Sequence, residues 1–473
     1  MDKHYRLGCK IIVFLTLPIW SQTEVGDMVL PDIDEYILDN GMRVLISPNY
    51  DYPTIYCHLY INSGTLDNPI DKPGLAENTF WELDEGTVKY SKKGQVKEKL
   101  YSLGDNDGWF RDKYIDDTHG VIASYFLKED AREGIQLLSE VIRNPTLPQR
   151  SAFWKNLAVR MAPKETYYDR GDLAALHMKN LYADLIENVN PKNAMHFTKK
   201  ALKIWHQSFL RPENTTLMVT GDFNYLYIKK LVEEYFGDWE STLPMSDRRN
   251  YTITLNDNTG IKVRFVNIPD EIDAEIRIIT YGPSAIDSWG YAAELARITL
   301  GWSRGSRLGK INTRFNEYGR LSYGSSGSPR LPYTYIYGNA KYTKLYSVYN
   351  AIIEEFDKMS QNSITELELV SAKQTAINFI KNESNNPEVF TKFIQRRYNR
   401  NGYSLAEIRS NFKHFKKVTI DEVNEAAARM FDPDNFMMVV LGNRDSCTTF
   451  LEQFEDVEYY EQTEELRASA NSR

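Results

Sequence analysis

RPENTTLMVTGD (residues 211–222) returns later in the chain as DPDNFMMVVLGN (432–443), with Pro212, Asn214 and Gly221 falling on Pro433, Asn435 and Gly442 at one constant offset of 221. A second pair, DNGMRVLI (39–46) and NTGIKVRF (258–265), matches at an offset of 219. Two separate matches at nearly one spacing describe a duplication, and a unit of about 220 residues is a whole domain, larger than a solenoid repeat. Each unit opens with a turn into an apolar strand and closes with a Pro-Xaa-Asn turn into another. ALKIWHQSFL before Arg211 and IDEVNEAAARMF before Asp432 carry apolar residues at helical spacing. The order predicts an α+β fold of two homologous sheet-and-helix sandwich domains.

Boundaries follow from composition. Residues 1–22 read as a signal peptide, with Lys3, Arg6 and Lys10 ahead of a largely apolar run from Ile11 to Trp20 that is too short to span a bilayer. The N-terminal domain is placed at 33–239, a polar linker containing Pro244 at 240–252, the C-terminal domain at 253–454, and a flexible acidic-then-polar tail at 455–473. No further transmembrane segment is expected. With 57 Lys and Arg against 65 Asp and Glu, and no long basic run, nucleic acid is excluded as an expected partner. Beyond the signal only Cys57 and Cys447 remain; Cys57 sits in a strand-like stretch as a buried thiol, and no disulfide is predicted.

GLAENTFWELDEGT (74–87) is the stretch most informative about chemistry. Its frame, GLAxxxxxxxxxGT, resembles the segment of the inverzincin metallopeptidases (insulinase, pitrilysin, mitochondrial processing peptidase) in which Gly-Leu-Ala leads into HxxEH. The two His positions of that motif read Glu77 and Trp81 here, and the general-base position reads Phe80. Other stretches resemble the same family in the same order: NGMRVLISPN, RNPTLP, FLRPENTTLMVTGDFN with YFGDW, Leu300-Gly301 with SRL, and TELELVSAKQ. The resemblance covers roughly 33–445 and implies a half-clamshell of the LuxS/processing-peptidase kind. The family's third zinc ligand is a Glu beyond the turn that RNPTLP matches, yet from Val141 to Lys164 there is no Asp or Glu. All metal positions therefore fail together, and no cofactor is expected on this chain. Beyond the signal segment no His has a second His or Cys three to five residues away, so they read as surface or hydrogen-bonded residues. Glu77, Trp81, Asp84 and Glu85 share a helical face, whose carboxylates could hold a hard cation only weakly.

In two-chain bacterial members of the family, the zinc-free subunit lends an Arg and a Tyr to its partner's site. The resemblance places these at INTRFNEYGRLSYG, where Tyr323 fits while Arg314 lies nine residues before it instead of the family's seven; the strictly spaced position is Asn316. An Arg could clamp a substrate carbonyl and a Tyr hydroxyl could stabilise an oxyanion. The expectation is a pseudopeptidase subunit, exported to a Gram-negative periplasm, forming a heterodimer with an HxxEH-bearing relative that holds zinc, and enclosing peptide substrate. The alternative is a binding or structural protein that keeps the fold without proteolysis. A peptidase active alone is the least favoured.

Overall fold

Each half builds one six-stranded sheet, and the two sheets repeat one strand order. The computed structural model describes residues 30–69, 71–72, 74–104, 110–149, 170–183, 197–245, 260–315, 321–383 and 386–461. The signal-peptide segment, the linker beyond 245 and Asn316 lie outside these.

The first half runs β1 (Asp34–Ile37), β2 (Arg43–Pro48), β3 (Thr54–Ile61), α1 (Leu75–Glu82), α2 (Gln95–Ser102), β4 (Asp112–Ile115), β5 (Gly120–Leu127), α3 (Ala131–Arg143), α4 (Arg170–Ala183), α5 (Lys199–Phe209), β6 (Thr215–Gly221) and α6 (Tyr225–Phe236). The second runs β7 (Ile261–Asn267), β8 (Ala274–Thr280), α7 (Gly290–Gly301), α8 (Arg307–Phe315), β9 (Ser322–Ser326), β10 (Tyr333–Ala340), α9 (Tyr342–Ser360), α10 (Glu366–Glu383), α11 (Pro387–Gln395), a π turn (Arg396–Arg400), α12 (Leu405–Lys417), α13 (Ile420–Met430), β11 (Phe436–Gly442), α14 (Arg444–Leu451) and β12 (Val457–Glu461).

Sheet orders are β1-β2-β6-β3-β5-β4 and β12-β7-β11-β8-β10-β9. The repeat is visible in register: Arg43 lies opposite Thr216 in the parallel pair β2–β6, and Lys262 opposite Met437 in β7–β11. These are the offsets of 219 and 221 read from the sequence. Gly221 is required by its own crossing: at φ +141° it passes β3 so closely that a Cβ would lie 2.0 Å from the Thr54 carbonyl oxygen, whereas at Gly442 a Cβ would meet the Tyr342 ring at 3.2 Å.

Strand alternation sets the layers. Ile55, Cys57, Leu59 and Ile61 of β3 face one core, with Leu75 and Phe80 of α1, Leu138 of α3 and Trp205 of α5. The other face of this sheet is covered by a helix from the second half: α11 donates from Gln395 to the His58 carbonyl at 3.1 Å and joins Thr391 to Thr220 at 2.7 Å. Reciprocally, α4 of the first half packs Leu173, Ala174, Met178 and Tyr182 onto Ile279, Val439 and Leu441 of the second sheet. Arg170 anchors it to Glu271 and Asp273 at 2.6 Å each. The halves thus exchange helices, so the packing units cross the sequence repeats.

One expectation needs correction. Val457–Glu461, placed by sequence in the flexible tail, form β12, parallel to β7. In the first half β1 covers the corresponding edge of β2; in the second half the tail supplies that strand. Arg264 holds it through Glu458 at 2.7 Å, and Phe265 meets Tyr459 edge-on at 5.9 Å. Cys57 and Cys447 are both buried and free. Among the described residues no helix is long and apolar enough to cross a membrane.

Candidate functional site

Helix α1 forms where the zinc-binding frame was sought. Gly74 precedes it in the left-handed conformation, φ 84°. The Asn68 amide then closes its first turn, accepting from the Ala76 N–H at 2.7 Å and donating to Glu77 at 3.1 Å. Glu77 is thereby engaged in the entry of the helix. Phe80, 2% exposed, lies over the start of β5: a Cβ at Gly120 would sit 2.7 Å from its ring. Glycine at 120 makes the room and the aromatic ring fills it. Trp81 turns toward β4, where the Lys113 ammonium lies 5.2 Å from its ring centre and pairs with Asp84, both side chains being nearly buried.

Zinc does not fit this arrangement. It needs imidazole, thiolate or carboxylate ligands about 2 Å away and a base beside its water. Phe80 and Trp81 supply neither, and the segment 141–164 has no acid to complete a set. The acidic face considered for a hard cation is divided by Asn68 and Lys113. Among the described residues no group of three or more His, Cys, Asp or Glu is gathered around a common point.

His58, His119 and His206 are buried within the fold. His206 donates from Nε2 to the Ile142 carbonyl at 2.8 Å; burial, only partly offset by that bond, pushes its pKa down to about 4. Burial pushes His58 down to about 3. His119 stacks on Tyr60 at 4.7 Å and meets Asp116 at 2.8 Å. Burial opposes the Asp116 charge, but His119, Arg400 and the Thr118 amide outweigh it and hold that carboxyl at about 2.

Arg314 and Tyr323 have different surroundings. Arg314, near the end of α8, is exposed, with its guanidinium over the ring of Phe315. Tyr323, in β9, packs on Gly301 and 6.1 Å from Trp302. Its hydroxyl is buried without a hydrogen-bond partner among the described residues, and burial raises its pKa, with Glu294 adding and Arg297 opposing.

Sequence reasoning missed two features. Arg330 forks onto Asp67 across the halves, at 2.9 and 3.3 Å, and also donates to the Thr118 carbonyl. Asp67 has a fully buried side chain and also accepts from the Gly64 amide at 2.9 Å. The second is RRYNR, the π turn after α11, whose three arginines were its only sequence signal. Pairing across 263 residues leaves no local pattern for the first.

Residues 196–376 match the family described as Peptidase M16 inactive domain. No curated protein matches the chain. Among solved structures it is similar to a protease from Helicobacter pylori, at 14% identity and TM-score 0.76, covering 87% of this chain and all of that one. It is also similar to an M16 inactive domain from Pseudomonas fluorescens, at 18% identity and TM-score 0.73, over 87% of this chain and 98% of that one. The periplasmic protease PqqL of Escherichia coli matches at 15% identity and TM-score 0.70, over 89% of this chain but 49% of PqqL. Residues 196–376 are thus similar to the M16 inactive domain, the fold over most of the chain's length is that of M16-type peptidase structures, and the HxxEH motif is absent from its sequence.

Proposed function

We propose that this chain is a non-catalytic subunit of an exported, periplasmic zinc peptidase, pairing with a separate HxxEH-bearing relative that holds the metal and helping to enclose and orient peptide. The carrying observation is the burial of Phe80 on Gly120. It replaces the catalytic position by core packing while the surrounding fold remains intact. Pairing is supported by the likeness to one half of PqqL, the match taking in 89% of this chain and 49% of that protein. Export is supported by the apolar first segment and by the periplasmic protease among its structural neighbours. An extended peptide has an edge to join: β4, beside α1, pairs only with β5 among the described residues.

The test is a native pull-down with mass spectrometry and a chelator-controlled peptide cleavage assay on the eluate. A stoichiometric HxxEH partner with chelator-sensitive activity is expected. Recovery of the chain alone, inactive, would sink the reading.

One observation favours the alternative, a binding protein without a part in proteolysis. The Tyr323 hydroxyl is buried beneath α7, and Arg314 does not share its surroundings. On that reading Tyr323→Phe leaves a partner's cleavage rate unchanged; a rate loss of tenfold or more would restore the in-trans role.

A further inference from the structure

The second half has its own counterpart of the degenerate zinc helix. Helix α7 follows β8 as α1 follows β3, and each packs on the helix that precedes the last inner strand, α13 and α5 respectively. Setting Gly74 on Gly290 places Trp81 on Arg297. Where the first half shows an aromatic residue, the second shows a cation.

Beside Arg297 lies a cavity of about 160 Å³, walled by α7, α10 and the π turn. Arg297 is 4% exposed; it donates to Thr334 and Glu294 at 2.9 Å each, and its Nη2 has no hydrogen-bond partner among the described residues. The π turn adds Arg396, Arg397 and Arg400 to the lining, and Nε of both Arg397 and Arg400 is buried without a partner among the described residues. π turns recur at functional positions because they re-aim side chains that an α-helix would disperse.

The charges do not balance. Glu294 answers Arg297, Glu383 answers Arg396 at 3.3 Å, and Asp116 stands 4.0 Å from Arg400. Arg397 has no carboxylate partner among the described residues; its guanidinium lies between the rings of Phe393 and Tyr403, 5.6 and 5.8 Å from their centres. Burial lowers the pKa of Arg396, and Arg397 and Arg400 add to that against the pull of Glu383. Guanidinium groups in excess of carboxylates, Arg297 buried and the three of the π turn half-buried, with N–H donors left over, are the chemistry of an oxyanion site. The remaining wall is mixed: Trp302, Phe379 and Phe415 supply an apolar part, beside the polar Glu294, Ser325 and Asn401. At this volume the cavity is well below the ~300–1,000 Å³ typical of pockets for drug-sized ligands.

We propose that this cavity binds a carboxylate carried on a small apolar body, such as the C-terminal residue of a peptide. The arginines take the carboxylate and the aromatic wall takes the body; a bare phosphate would leave that wall unused. The site goes beyond subunit pairing and operates whether or not the chain has a catalytic partner.

The experiment is titration calorimetry on the purified chain with N-acetyl-phenylalanine, its carboxamide and inorganic phosphate as probes. Saturable one-to-one binding of the acid is expected, at least tenfold tighter than either other probe. Arg397→Gln should weaken it tenfold or more, and so should Arg396→Gln, whose side chain is 41% exposed and replaceable with less risk to folding. Circular dichroism establishes that each variant is folded. Equal binding of acid and amide, tighter binding of phosphate, no binding of the acid, or folded variants that bind it unchanged would each overturn the proposal.

Discussion

Restoring the peptidase motif on α1 is a direct trial of the statement that this helix has become core. The variant carries Glu77→His, Phe80→Glu and Trp81→His. Phe80 is 2% exposed and rests on Gly120. Losing a fully packed Phe costs about 3–5 kcal/mol, and a polar group left there without a partner adds about 1–3 kcal/mol. Trp81→His also gives up the contact with Lys113, worth about 0.5–1 kcal/mol. Glu77→His breaks the bond from Asn68. A loss of about 4.5–9 kcal/mol is therefore expected, a large part of the ~5–15 kcal/mol that holds a typical domain together. The assay compares urea unfolding of the triple variant, of Phe80→Glu alone and of Phe80→Leu, with zinc measured after dialysis. Phe80→Leu should retain most of the stability and the other two should not. No stoichiometric zinc is expected, because the segment 141–164 holds no acid to act as third ligand. A triple variant within about 1 kcal/mol of the parent that carries one tightly held zinc would refute this account of the helix.

Three further outcomes follow from other contacts. Arg330→Ala leaves the fully buried Asp67 carboxylate with only the Gly64 amide; a loss of about 3 kcal/mol is expected. Adding Asp67→Asn should recover part of it in a double-mutant cycle, and strict additivity would deny the pair. Tyr323→Phe removes a buried hydroxyl that has no partner among the described residues, and should raise stability by about 1 kcal/mol in thermal unfolding; a clear loss would mean the hydroxyl is bonded. His206 has a folded pKa of about 4 against about 6.5 unfolded, so the unfolded chain binds more protons between those values. Its contribution is complete above about pH 6.5 and is lost as pH falls toward 4. His206→Gln should therefore flatten stability against pH across that window, and an unchanged slope would contradict it.

How much was legible depended on whether the signal was local. Duplication was legible because the same Pro-Xaa-Asn turn leads into an inner strand in each half, and that strand ends in a glycine both times. Helices α5 and α13 were legible from apolar spacing. The loss of metal ligands was legible because a metal site cannot be assembled from Phe80 and Trp81. The helix exchange was not: α4 and α11 each present an apolar face, but nothing in periodicity says which sheet will receive it. The tail strand β12 was missed for a related reason. VEYYE is short and acidic, and it becomes a strand only because β7 offers an open edge and Arg264 a countercharge.

The exchanged helices also bear on why a half without zinc chemistry keeps its shape. Helix α11 and the π turn that continues it reach the first sheet through Thr391, Gln395 and, in the turn, Asn399, bonded to Thr220, the His58 carbonyl and Thr216. The same helix ends in the arginine turn that lines the cavity of the second half. A displacement of α11 would leave buried polar groups of the first sheet unpaired, each at about 1–3 kcal/mol. The arginine turn is thus held rigidly by contacts made in the opposite half. A cavity lined by guanidinium groups needs such an anchor, since like charges so close would otherwise drive the turn apart. Weakening the anchor by Thr391→Val should then loosen the turn without touching any residue that lines the cavity. Faster amide exchange in Arg396–Arg400, with α7 unaffected, is the expected result. Unchanged exchange there would mean that the second half holds the turn by itself.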